Sequence, residues 1–438
     1  MTHKKNLSQG GVNPPGNLFP SPDAAIENAP VPSVAVIPLL QHAGVAARCI
    51  VQPGQLVREG MLIGKADGAA SANIHSSIPG RVAEVRAWST VGAPPCEAIV
   101  IELGGEFDRS GRLQETRGWE SLSRFDLLGR IQAAGVVGLG GGQVPTHLKL
   151  ALTPGRTVSL LVANGVDCEP SLSADSALMR EKGREISEGV RICRALLNPA
   201  RIVLALGEES EGLAAEYERH FAALHMSCDI LVMPSRYPRG NEELILSTLD
   251  GGRPAAPSAS SVVLNVATLN AVYEAVALDR PLIERVLTVT GDPVAAPKNL
   301  KVRIGTRIGD LFDDCGGFTT APGKIVMGGP MRGIAVTSLD MPVTKGTLGV
   351  VAFSRAEAKG RTQWPCIRCG ACIEACPWDL VPTRLFKLIL NGDSGRAAAE
   401  GLDRCTECGC CAYACPSHIP LVDVMRRGKR EQGRGTHG

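Results

Sequence analysis

The 438-residue sequence is poor in aromatic residues, nearly balanced in charge and without a long apolar run. Phe, Tyr and Trp make up 4% of the chain and the formal net charge is +2, so nucleic-acid binding, which needs a basic domain with interleaved aromatics, is not expected. No stretch approaches the roughly 18 apolar residues of a transmembrane helix. The N-terminal MTHKKNLSQG continues into Gly, Pro and Asn, which predicts no signal peptide. We expect a soluble or peripheral protein of several domains.

Cysteine is abundant, and eight of the 15 cysteines form two copies of one spacing, C-x2-C-x2-C-x3-C-P. Proteins hold two 4Fe-4S clusters with this spacing: three thiolates of one copy bind one cluster, and the fourth, before Pro, binds the other. The sequence therefore predicts two 4Fe-4S clusters with intertwined ligands. The expected ligands are Cys366, Cys369, Cys372 and Cys415 on one cluster, and Cys405, Cys408, Cys411 and Cys376 on the other.

Two other uses of these cysteines agree less well with the pattern. Zinc also binds C-x2-C pairs, but usually two pairs separated by a longer loop. A disulfide framework is typical of small secreted domains, whereas this chain is long. Iron–sulfur clusters need a reducing compartment, which favours the cytoplasm. Cys410 lies off the repeat and is expected to be a packing residue.

The pattern of apolar, glycine and proline residues changes along the chain, which predicts a multidomain protein with α/β and α+β domains. The proline-rich start has few apolar residues and is expected to be extended. A helix over residues 383–390 is expected between the two cysteine motifs. The predicted segments are an N-terminal arm (1–30), an all-β domain (31–105), an α/β domain (120–282), a β-grasp-like domain (283–355), a cluster domain (356–425) and a basic tail (426–438).

The α/β domain is predicted from strands that alternate with amphipathic helices. Apolar positions at three- and four-residue steps from Ile186 to Leu197 predict one such helix. This alternation favours a mostly parallel sheet. The predicted strands are residues 158–162, 202–206, 230–233 and 262–266.

The all-β domain carries turns that resemble a known module. Gly54, Val57, Gly60 and Ile63 recur every three residues between apolar strands, which is similar to the barrel-sandwich hybrid of biotinyl and lipoyl domains. Those domains carry their cofactor on a hairpin lysine, whereas Lys65 falls inside the predicted strand pattern. We therefore interpret this domain as a structural or docking module.

A glycine-rich loop, GLGGGQVPTHLK at residues 138–149, is a second candidate site. Glycine lets backbone N–H groups approach a phosphate or a flat ring closely, and Lys149 supplies positive charge. A dinucleotide-binding loop normally follows a strand, whereas the segment before this loop is predicted to be helical. Taken alone, the loop is as compatible with a tight turn between helices as with a nucleotide site.

Polar side chains follow three of the predicted strands. They occur in NGVDCEP at residues 164–170, in YPRGNE at 237–242 and in NVAT at 265–268. Each cluster by itself is more typical of a turn. Because ligands of open α/β sheets bind beyond the carboxyl ends of strands, we expect the clusters to meet in one crevice. There, amide and acidic side chains can hydrogen-bond ribityl and ribose hydroxyls.

These motifs, in this order, resemble the RnfC family, the C subunits of the Rnf electron transport complex, which are related in their central domain to the flavoprotein subunit of respiratory complex I. The resemblance covers nearly everything after residue 30. It implies a barrel-sandwich hybrid, a Rossmann-like α/β domain that binds FMN and NADH, a β-grasp (SLBB-like) domain and a C-terminal α-helical ferredoxin-type domain with two 4Fe-4S clusters. It also implies that FMN is bound non-covalently and that NADH is the substrate that docks against it.

The resemblance also assigns roles to residues of the expected crevice. No side chain acts as a general acid or base in this scheme, since the protein only positions its cofactors. The assignments are Gly138, Gly140, Gly141 and Lys149, with Gly142 in the same loop, as the cradle of FMN and NADH; Asn164 and Asp167 as ribityl contacts; Glu169 and Glu242 as acids near flavin and nicotinamide; and Asn265 and Thr268 at the phosphate end.

The glycine loop departs from the family pattern G-G-A-G-F-P-T. Gly142, Gln143 and Val144 stand where Ala, Gly and Phe are expected. Gln143 adds bulk where the backbone should approach the ring, and Val144 removes an aromatic surface for stacking, a contact worth about 1 kcal/mol. We therefore expect NADH binding to be affected more than flavin binding.

A flavin beside iron–sulfur clusters suits the exchange of two-electron for one-electron transfer. The first hypothesis is the peripheral electron-input subunit of a membrane-bound, ion-translocating NADH:ferredoxin oxidoreductase of the Rnf type, at the cytoplasmic face of the inner membrane. Its partners would be ferredoxin-like and flavin-carrying membrane subunits of that complex, and ferredoxin or flavodoxin indirectly. The alternatives are an NADH-independent cluster relay or docking subunit, and a soluble flavin-dependent reductase of a cobalamin-type acceptor.

Overall fold

The computed structural model of the chain describes residues 2–4, 10–14, 24–107, 118–152, 157–251 and 260–435. Much of the predicted arm, including Pro15, Pro20 and Pro22, lies outside the described residues, and so do the last three residues of the predicted basic tail.

The described parts of the N-terminal arm run along other domains. Strand β1 (Thr2–Lys4) pairs in parallel with the edge of the α/β sheet, and β2 (Ile26–Asn28) pairs in parallel with the β-grasp sheet. Between these strands, the Gly11 N–H donates to Ala375 O (3.0 Å) in the cluster domain. The arm therefore contacts three separate parts of the molecule.

The all-β domain is built of two small sheets with an aliphatic core. Its sheets have the orders β3-β9-β8-β5 and β4-β6-β7, and Ile37, Ile63 and Ile99 are buried between them. The strands are β3 (Val34–Pro38), β4 (Arg48–Cys49), β5 (Leu56–Val57), β6 (Leu62–Lys65), β7 (Ile74–His75), β8 (Gly80–Thr90) and β9 (Ala93–Leu103).

The α/β domain contains the predicted parallel sheet. The four predicted strands coincide with β10 (Leu160–Gly165), β11 (Arg201–Gly207), β12 (Asp229–Met233) and β13 (Ser261–Asn265), with ends shifted by no more than three residues. The sheet order is β1-β12-β11-β10-β13, and all pairs are parallel.

Helices cover this sheet because their apolar stripes match its buried faces. The helices are α1 (Arg124–Ala133), α2 (Thr146–Leu150), α3 (Ala174–Glu181), α4 (Gly183–Leu197), α5 (Ala214–Ala223), α6 (Glu242–Asp250) and α7 (Val266–Ala277). In α4 the predicted apolar positions, including Ile186 and Val190, are fully buried. Burial of each such side chain contributes about 1.5–3 kcal/mol.

The β-grasp domain is a mixed sheet with one helix against it. Its order, β17-β16-β18-β14-β15-β2, includes the strand from the N-terminal arm. Phe312 of the helix is buried in the core of this domain. The elements are β14 (Glu284–Thr290), β15 (Lys298–Arg303), α8 (Ile308–Asp314), β16 (Lys324–Met327), β17 (Ile334–Ala335) and β18 (Gly349–Phe353).

The cluster domain is made of short helices. The helix predicted at 383–390 is present as α11, and the last helix crosses the predicted start of the basic tail. The helices are α9 (Arg355–Ala358), α10 (Ala371–Glu374), α11 (Pro382–Leu390), α12 (Ser394–Ala399), α13 (Cys410–Tyr413) and α14 (Leu421–Gly435).

Candidate functional site

A crevice of about 520 Å³ opens where the strands of the parallel sheet end. Its volume lies within the range of small-molecule and cofactor sites, about 300–1,000 Å³. The glycine loop, the strand ends and two turns of the β-grasp domain form its walls. The predicted site residues that line it are Gly138, Gly140, Gly141, Gly142, Lys149, Asn164, Glu169, Glu242, Asn265 and Thr268.

The glycine loop is a tight turn between α1 and α2 and also a wall of the crevice. The Gly138 N–H donates to Val144 O (2.9 Å), and the Gln143 N–H donates to Gly138 O (3.1 Å). The Leu139 N–H donates to Thr268 Oγ1 (2.9 Å), which ties the loop to α7. The loop is therefore a tight turn whose central glycines are exposed along the crevice, and its role as a nucleotide site stays a prediction.

Two asparagines lie side by side where neighbouring strands end. Asn164 of β10 and Asn265 of β13 are direct partners in the parallel ladder. The Asn164 amide donates to Gly240 O (2.9 Å), and Asn265 Oδ1 accepts from the Ala267 N–H (2.9 Å) at the start of α7. Both side chains are half-buried, so they hold the turns around the crevice as well as line it.

Lys149 and Glu242 form an ion pair in the crevice wall. Their Nζ and Oε2 atoms are 2.8 Å apart, and Lys149 Nζ also donates to Val263 O (2.7 Å). Both side chains remain about one-third exposed, at 32% and 30%. An anionic ligand group that reaches Lys149 therefore shares this ammonium with the Glu242 carboxylate.

Asp167 lies behind the crevice instead of inside it. Its carboxylate accepts from the Asp175 N–H (3.1 Å) and the Ser176 N–H (2.9 Å) at the start of α3. It lines a smaller adjoining cavity of about 60 Å³. Burial, and then the Asp175 carboxyl beside it, raise the pKa of Asp167. The predicted ribityl contact through Asp167 stays a prediction, since this side chain lines the smaller cavity and not the main crevice.

Glu169 is buried in the wall with one carboxylate oxygen unused. Only 6% of the residue is exposed. Its Oε2 accepts from the Met331 N–H (3.0 Å), whereas Oε1 has no hydrogen-bond partner among the described residues. Burial is the main cause that raises the pKa of this carboxyl. A buried acceptor without a donor is costly, so Oε1 is a natural partner for a ligand N–H or O–H group.

The β-grasp domain supplies a wall that sequence reasoning missed. The turn GGPMRG at residues 328–333 lies against Glu169, and a Cβ atom on Gly329 would clash with Glu169 Oε2. Arg332 of this turn also lines the crevice. The glycine-rich stretch around Arg332 could have indicated a further ligand-binding turn. It lies more than 150 residues along the chain from Glu169, which it contacts.

The all-β domain supports the glycine loop from behind. The Ala43 N–H donates to Gln143 O (3.0 Å). Lys345 is buried and its ammonium donates to Asn73 O (2.8 Å) and to Gly135 O (2.7 Å), just before the loop. Burial lowers the pKa of Lys345 to about 7. These contacts join three domains at the back of the crevice, which agrees with the predicted structural role of the all-β domain.

The structure brings together the four predicted ligands of one cluster and three of the predicted ligands of the other. Cys376, Cys405, Cys408 and Cys411 line one cavity and are called the inner set here. In the other set, the thiols of Cys366 and Cys415 lie close enough to Cys372 to raise its pKa, although burial is the larger cause. This second group, the outer set, comprises Cys366, Cys369, Cys372 and Cys415.

The chemistry of these thiols suits clusters that carry positive iron. Burial, with neighbouring thiols of the same set, raises the pKa of Cys376 to about 11. Four thiolates at close quarters repel one another unless a cation lies between them. Cys410, expected to pack, is fully buried in the hydrophobic core beside the inner set.

Four sequence families match successive parts of the chain. Residues 7–106 match the RnfC barrel-sandwich hybrid domain and residues 131–274 match the Nuo51 FMN-binding domain. Residues 286–335 match the SLBB domain and residues 365–419 match a 4Fe-4S dicluster domain. The predicted fold class is therefore confirmed, module by module and in the predicted order.

Several relatives match over most of their length. The C subunit of the proton-translocating ferredoxin:NAD(+) oxidoreductase complex of Clostridium ljungdahlii is 37% identical, over 86% of this chain and 83% of the relative. The C subunit of the ion-translocating oxidoreductase complex of Rhodobacter capsulatus is also 37% identical, over 96% and 82%. The chain belongs to the RnfC family.

More distant likeness supports the same fold. The C subunit of the Na(+)-translocating ferredoxin:NAD(+) oxidoreductase complex of Acetobacterium woodii is 30% identical, over 88% of each chain. Among solved structures, an NAD+-reducing [NiFe]-hydrogenase in the H2-reduced state has a TM-score of 0.50 at 17% identity, covering 71% of this chain and 61% of that chain. At this identity the likeness concerns the fold alone.

The inner set touches the crevice wall through Tyr237. The Tyr237 hydroxyl donates to Cys408 O (2.6 Å), and the Glu169 carboxylate lies close enough to raise the pKa of the phenol, after burial. Met331 of the β-grasp turn fills the same junction, since a Cβ on Gly409 would lie 3.0 Å from Met331 O. Met331 therefore contacts both Glu169 in the crevice wall and the second cysteine motif.

Gln143 is accommodated by a glycine of the β-grasp domain. Its backbone has a φ of 50°, in the left-handed region that favours glycine. Its side chain lies against Gly346, where a Cβ would clash with Gln143 Nε2. Val144 is 41% exposed at the crevice. The departure from the family pattern thus places an amide in the crevice wall and leaves no aromatic ring at position 144.

The residues present fit a flavin nucleotide and two clusters. The crevice offers an exposed glycine backbone, the Lys149 ammonium and the unpartnered Glu169 Oε1. Each set has four cysteines, the number of thiolates that one 4Fe-4S cluster takes, but their thiols are not grouped closely enough to define a metal site. Within the described ranges, no group of three or more His, Cys, Asp or Glu side chains is arranged to hold a metal ion.

Proposed function

We propose that this chain exchanges electrons between NADH, FMN and two 4Fe-4S clusters as a subunit of an ion-translocating ferredoxin:NAD(+) oxidoreductase complex. The observation that carries the proposal is the junction between the crevice and the inner set, where Tyr237 and Met331 contact both sides. A nucleotide site and an iron–sulfur site that share one wall are arranged for electron transfer between them. The names of the relatives support the complex as its setting.

In this function the residues of the crevice bind and orient the nucleotides. The glycine loop presents its backbone to the flavin, and Asn164 and Asn265 hold the strand-end turns beneath it. Lys149 attracts an anionic group, in competition with Glu242. Glu169 Oε1, which has no hydrogen-bond partner among the described residues, would accept a hydrogen bond from a bound nucleotide. Bound FMN supplies the exchange between hydride transfer and single-electron transfer.

The inner and outer sets then carry electrons towards partner subunits. Buried thiols in the inner set keep water away from the first transfer, because Cys376, Cys408 and Cys411 are each less than a tenth exposed. The outer set includes two exposed cysteines, Cys366 and Cys369, so it is the one that faces partners. No carboxylate or imidazole is needed as a proton donor in this relay.

The setting of the chain is a membrane complex in which it is peripheral. In the part of the chain that the structure describes, no helix combines the length and hydropathy needed to cross a bilayer. We place the chain at the cytoplasmic face of the inner membrane, where other Rnf-type subunits, ferredoxin-like and flavin-carrying, are its partners. Ferredoxin or flavodoxin exchange electrons with the complex indirectly.

The proposal is tested by an NADH titration of anaerobically purified chain. We expect about one FMN and about eight iron atoms per chain, and bleaching of the flavin by NADH. Lys149→Met should lose FMN affinity by about tenfold, because an ion pair to an anionic group is removed. Lys65→Met, an exposed lysine of the all-β domain, is the matched control and should bind FMN normally.

One observation favours a second candidate, an NADH-independent cluster relay. Position 144 offers no aromatic ring for stacking, and Gln143 occupies part of the wall. Full iron content without FMN, or FMN that NADH does not bleach, would support the relay and contradict the enzyme. Transfer of electrons from NADH to a cobalamin-type acceptor without any membrane partner would instead support a soluble reductase.

A further inference from the structure

The segment that leads into the first cysteine motif and includes its first two cysteines is exposed to solvent but is held in place by hydrogen bonds. Every residue from 359 to 369 is exposed. The segment is nevertheless fixed to the cluster domain, because the Trp364 N–H donates to Ser417 O (2.9 Å) and the Ser417 hydroxyl donates to Pro365 O (3.0 Å). We call residues 359–369 the outer rim, since they lead into and include Cys366 and Cys369 of the outer set.

The outer rim presents large apolar side chains next to exposed thiols. Trp364 is 62% exposed and Ile367 is 66% exposed. They flank Cys366, and both lie within a few residues of Cys369. Two large apolar side chains held in place at the surface, beside a redox group, are a typical feature of a binding site. Trp is also among the residue types that contribute most to binding at interfaces.

The charge of the outer rim has one sign. It contains Lys359, Arg361 and Arg368 and no acidic residue. At the matching position of the second motif, Glu407 replaces Arg368, and that glutamate is bound by Arg426 (3.0 Å) and Lys429 (3.6 Å). The first motif thus keeps its cations at the surface, whereas the second motif neutralises its acid within the domain.

We propose that the outer rim is the docking surface for an acidic electron-transfer protein whose own redox centre lies at its surface. This inference rests on the proposed function and deepens it by naming the surface and the charge of the partner. Opposite charge steers the encounter, the apolar pair excludes water at its centre, and small interfaces suit transient redox complexes. In each encounter the outer set of this chain is oxidised by one electron and the redox centre of the partner is reduced by one electron, without any covalent change.

An anionic membrane surface is the competing occupant. Lipid would attract the same three cations, but Trp364 and Ile367 surround cysteines that have to exchange electrons with a protein. A lipid surface over Cys366 and Cys369 would block that exchange. The geometry therefore favours a protein partner that brings acidic side chains around its redox centre.

The test measures binding of an oxidised, acidic two-cluster ferredoxin, used as a probe in place of the ferredoxin-like partner subunit, to the anaerobic, cofactor-loaded full chain. We expect binding to weaken with salt, and to weaken by about tenfold in Trp364→Ala and in Arg368→Glu. The matched controls are Phe125→Ala, an 84% exposed aromatic on α1, and Arg48→Glu, an exposed cation on β4. Both controls should bind as the native chain does.

Flavin bleaching by NADH is measured on every variant, because it reports the proposed function independently of docking. Native bleaching together with lost ferredoxin affinity supports the docking surface. Native ferredoxin affinity in both rim variants would overturn it, even if NADH bleaching is normal. The proposal also fails if Arg368→Glu abolishes binding to vesicles of phosphatidylcholine and phosphatidylglycerol while ferredoxin binding persists, because lipid is then the occupant.

Discussion

The two copies of the cysteine motif have matching backbones and opposite surroundings. Arg368 and Glu407 occupy the same motif position with φ values of 58° and 57°, and Gly370 and Gly409 follow with 83° and 87°. A Cβ on Gly370 would meet nothing within 4 Å, whereas one on Gly409 would lie 3.0 Å from Met331 O. The same local structure is therefore used once at the surface and once against the crevice wall.

Because the surroundings of the two motifs differ, one cluster site lies next to the crevice and the other lies at the surface. The inner set lies behind Tyr237 and Met331, next to the nucleotide crevice. The outer set includes the exposed Cys366 and Cys369, and the outer rim that contains them carries only cationic charges. A duplicated cluster motif can thus connect a buried site with a docking surface, because only the packing around each copy has to differ.

Removing one cysteine ligand from each set should give the largest effect, and it tests the order in which electrons from NADH reach the two clusters. Cys376→Ser should cost about half of the iron, and NADH should then fail to reduce the remaining outer cluster. Cys366→Ser should also cost iron, but NADH should still reduce the inner cluster. Iron analysis and electron paramagnetic resonance after NADH addition measure both. Unimpaired reduction of the outer cluster in Cys376→Ser would show that the order is wrong.

Arg332→Met tests the electrostatic side of the comparison. The guanidinium lies close enough to Cys408 to influence its pKa, and positive charge favours the reduced, more negative cluster. Its loss should lower the inner-cluster potential by on the order of tens of millivolts and leave the outer cluster unchanged. Arg368→Met is the mirror variant and should affect only the outer cluster. Redox potentiometry measures the potentials of both clusters. Equal shifts of the two potentials in either variant would contradict the assignment of Arg332 to the inner cluster and Arg368 to the outer cluster.

Tyr237→Phe removes a smaller contribution at the same junction. The hydroxyl bond to Cys408 O (2.6 Å) is lost, which should cost about 1 kcal/mol and leave a buried acceptor without a donor. Anaerobic urea denaturation, followed by cluster absorbance, should show a lower midpoint for the inner cluster. Tyr413→Phe, half-exposed at 48%, is the control. If Tyr237→Phe and Tyr413→Phe have the same denaturation midpoint, the Tyr237 hydroxyl does not stabilise the inner cluster.

Gln143→Gly should have the smallest effect and touch neither cluster. Glycine relieves the left-handed backbone at φ 50°, which is worth about 1 kcal/mol in a non-glycine residue. NADH should bind several-fold more tightly because side-chain bulk leaves the crevice wall. Gln143→Ala, which keeps a Cβ, is the control. Unchanged or weaker NADH binding would show that the packing of Gln143 on Gly346 leaves the site intact.

The parts of the site that sequence predicted are those built from nearby residues. The glycine loop and the strand-end asparagines line the crevice because each sits at the end of a local element. Asp167 was assigned a ribityl contact, but its carboxylate is held by the N–H groups that begin α3. That assignment came from the family resemblance and stays a prediction, and the start of α3 competes for the charge of Asp167.

Contacts between distant segments were beyond such reasoning. The turn with Arg332 reaches Glu169 across 162 residues in the chain, and Lys345 joins Asn73 to Gly135 behind the glycine loop. Strand β1 extends the parallel sheet through pairing with β12. Each of these contacts depends on how whole domains pack, and no periodic pattern within a short stretch of sequence predicts it.

The sequence by itself determined that this protein has two 4Fe-4S cluster motifs, because each copy of the spacing supplies cluster thiolates. Which cysteines share a cluster stays a prediction. The sequence also determined the order of the modules. Only the tertiary structure decided which set faces the crevice and which faces outward, because burial of the inner set depends on Tyr237 and Met331, which arrive from two other domains.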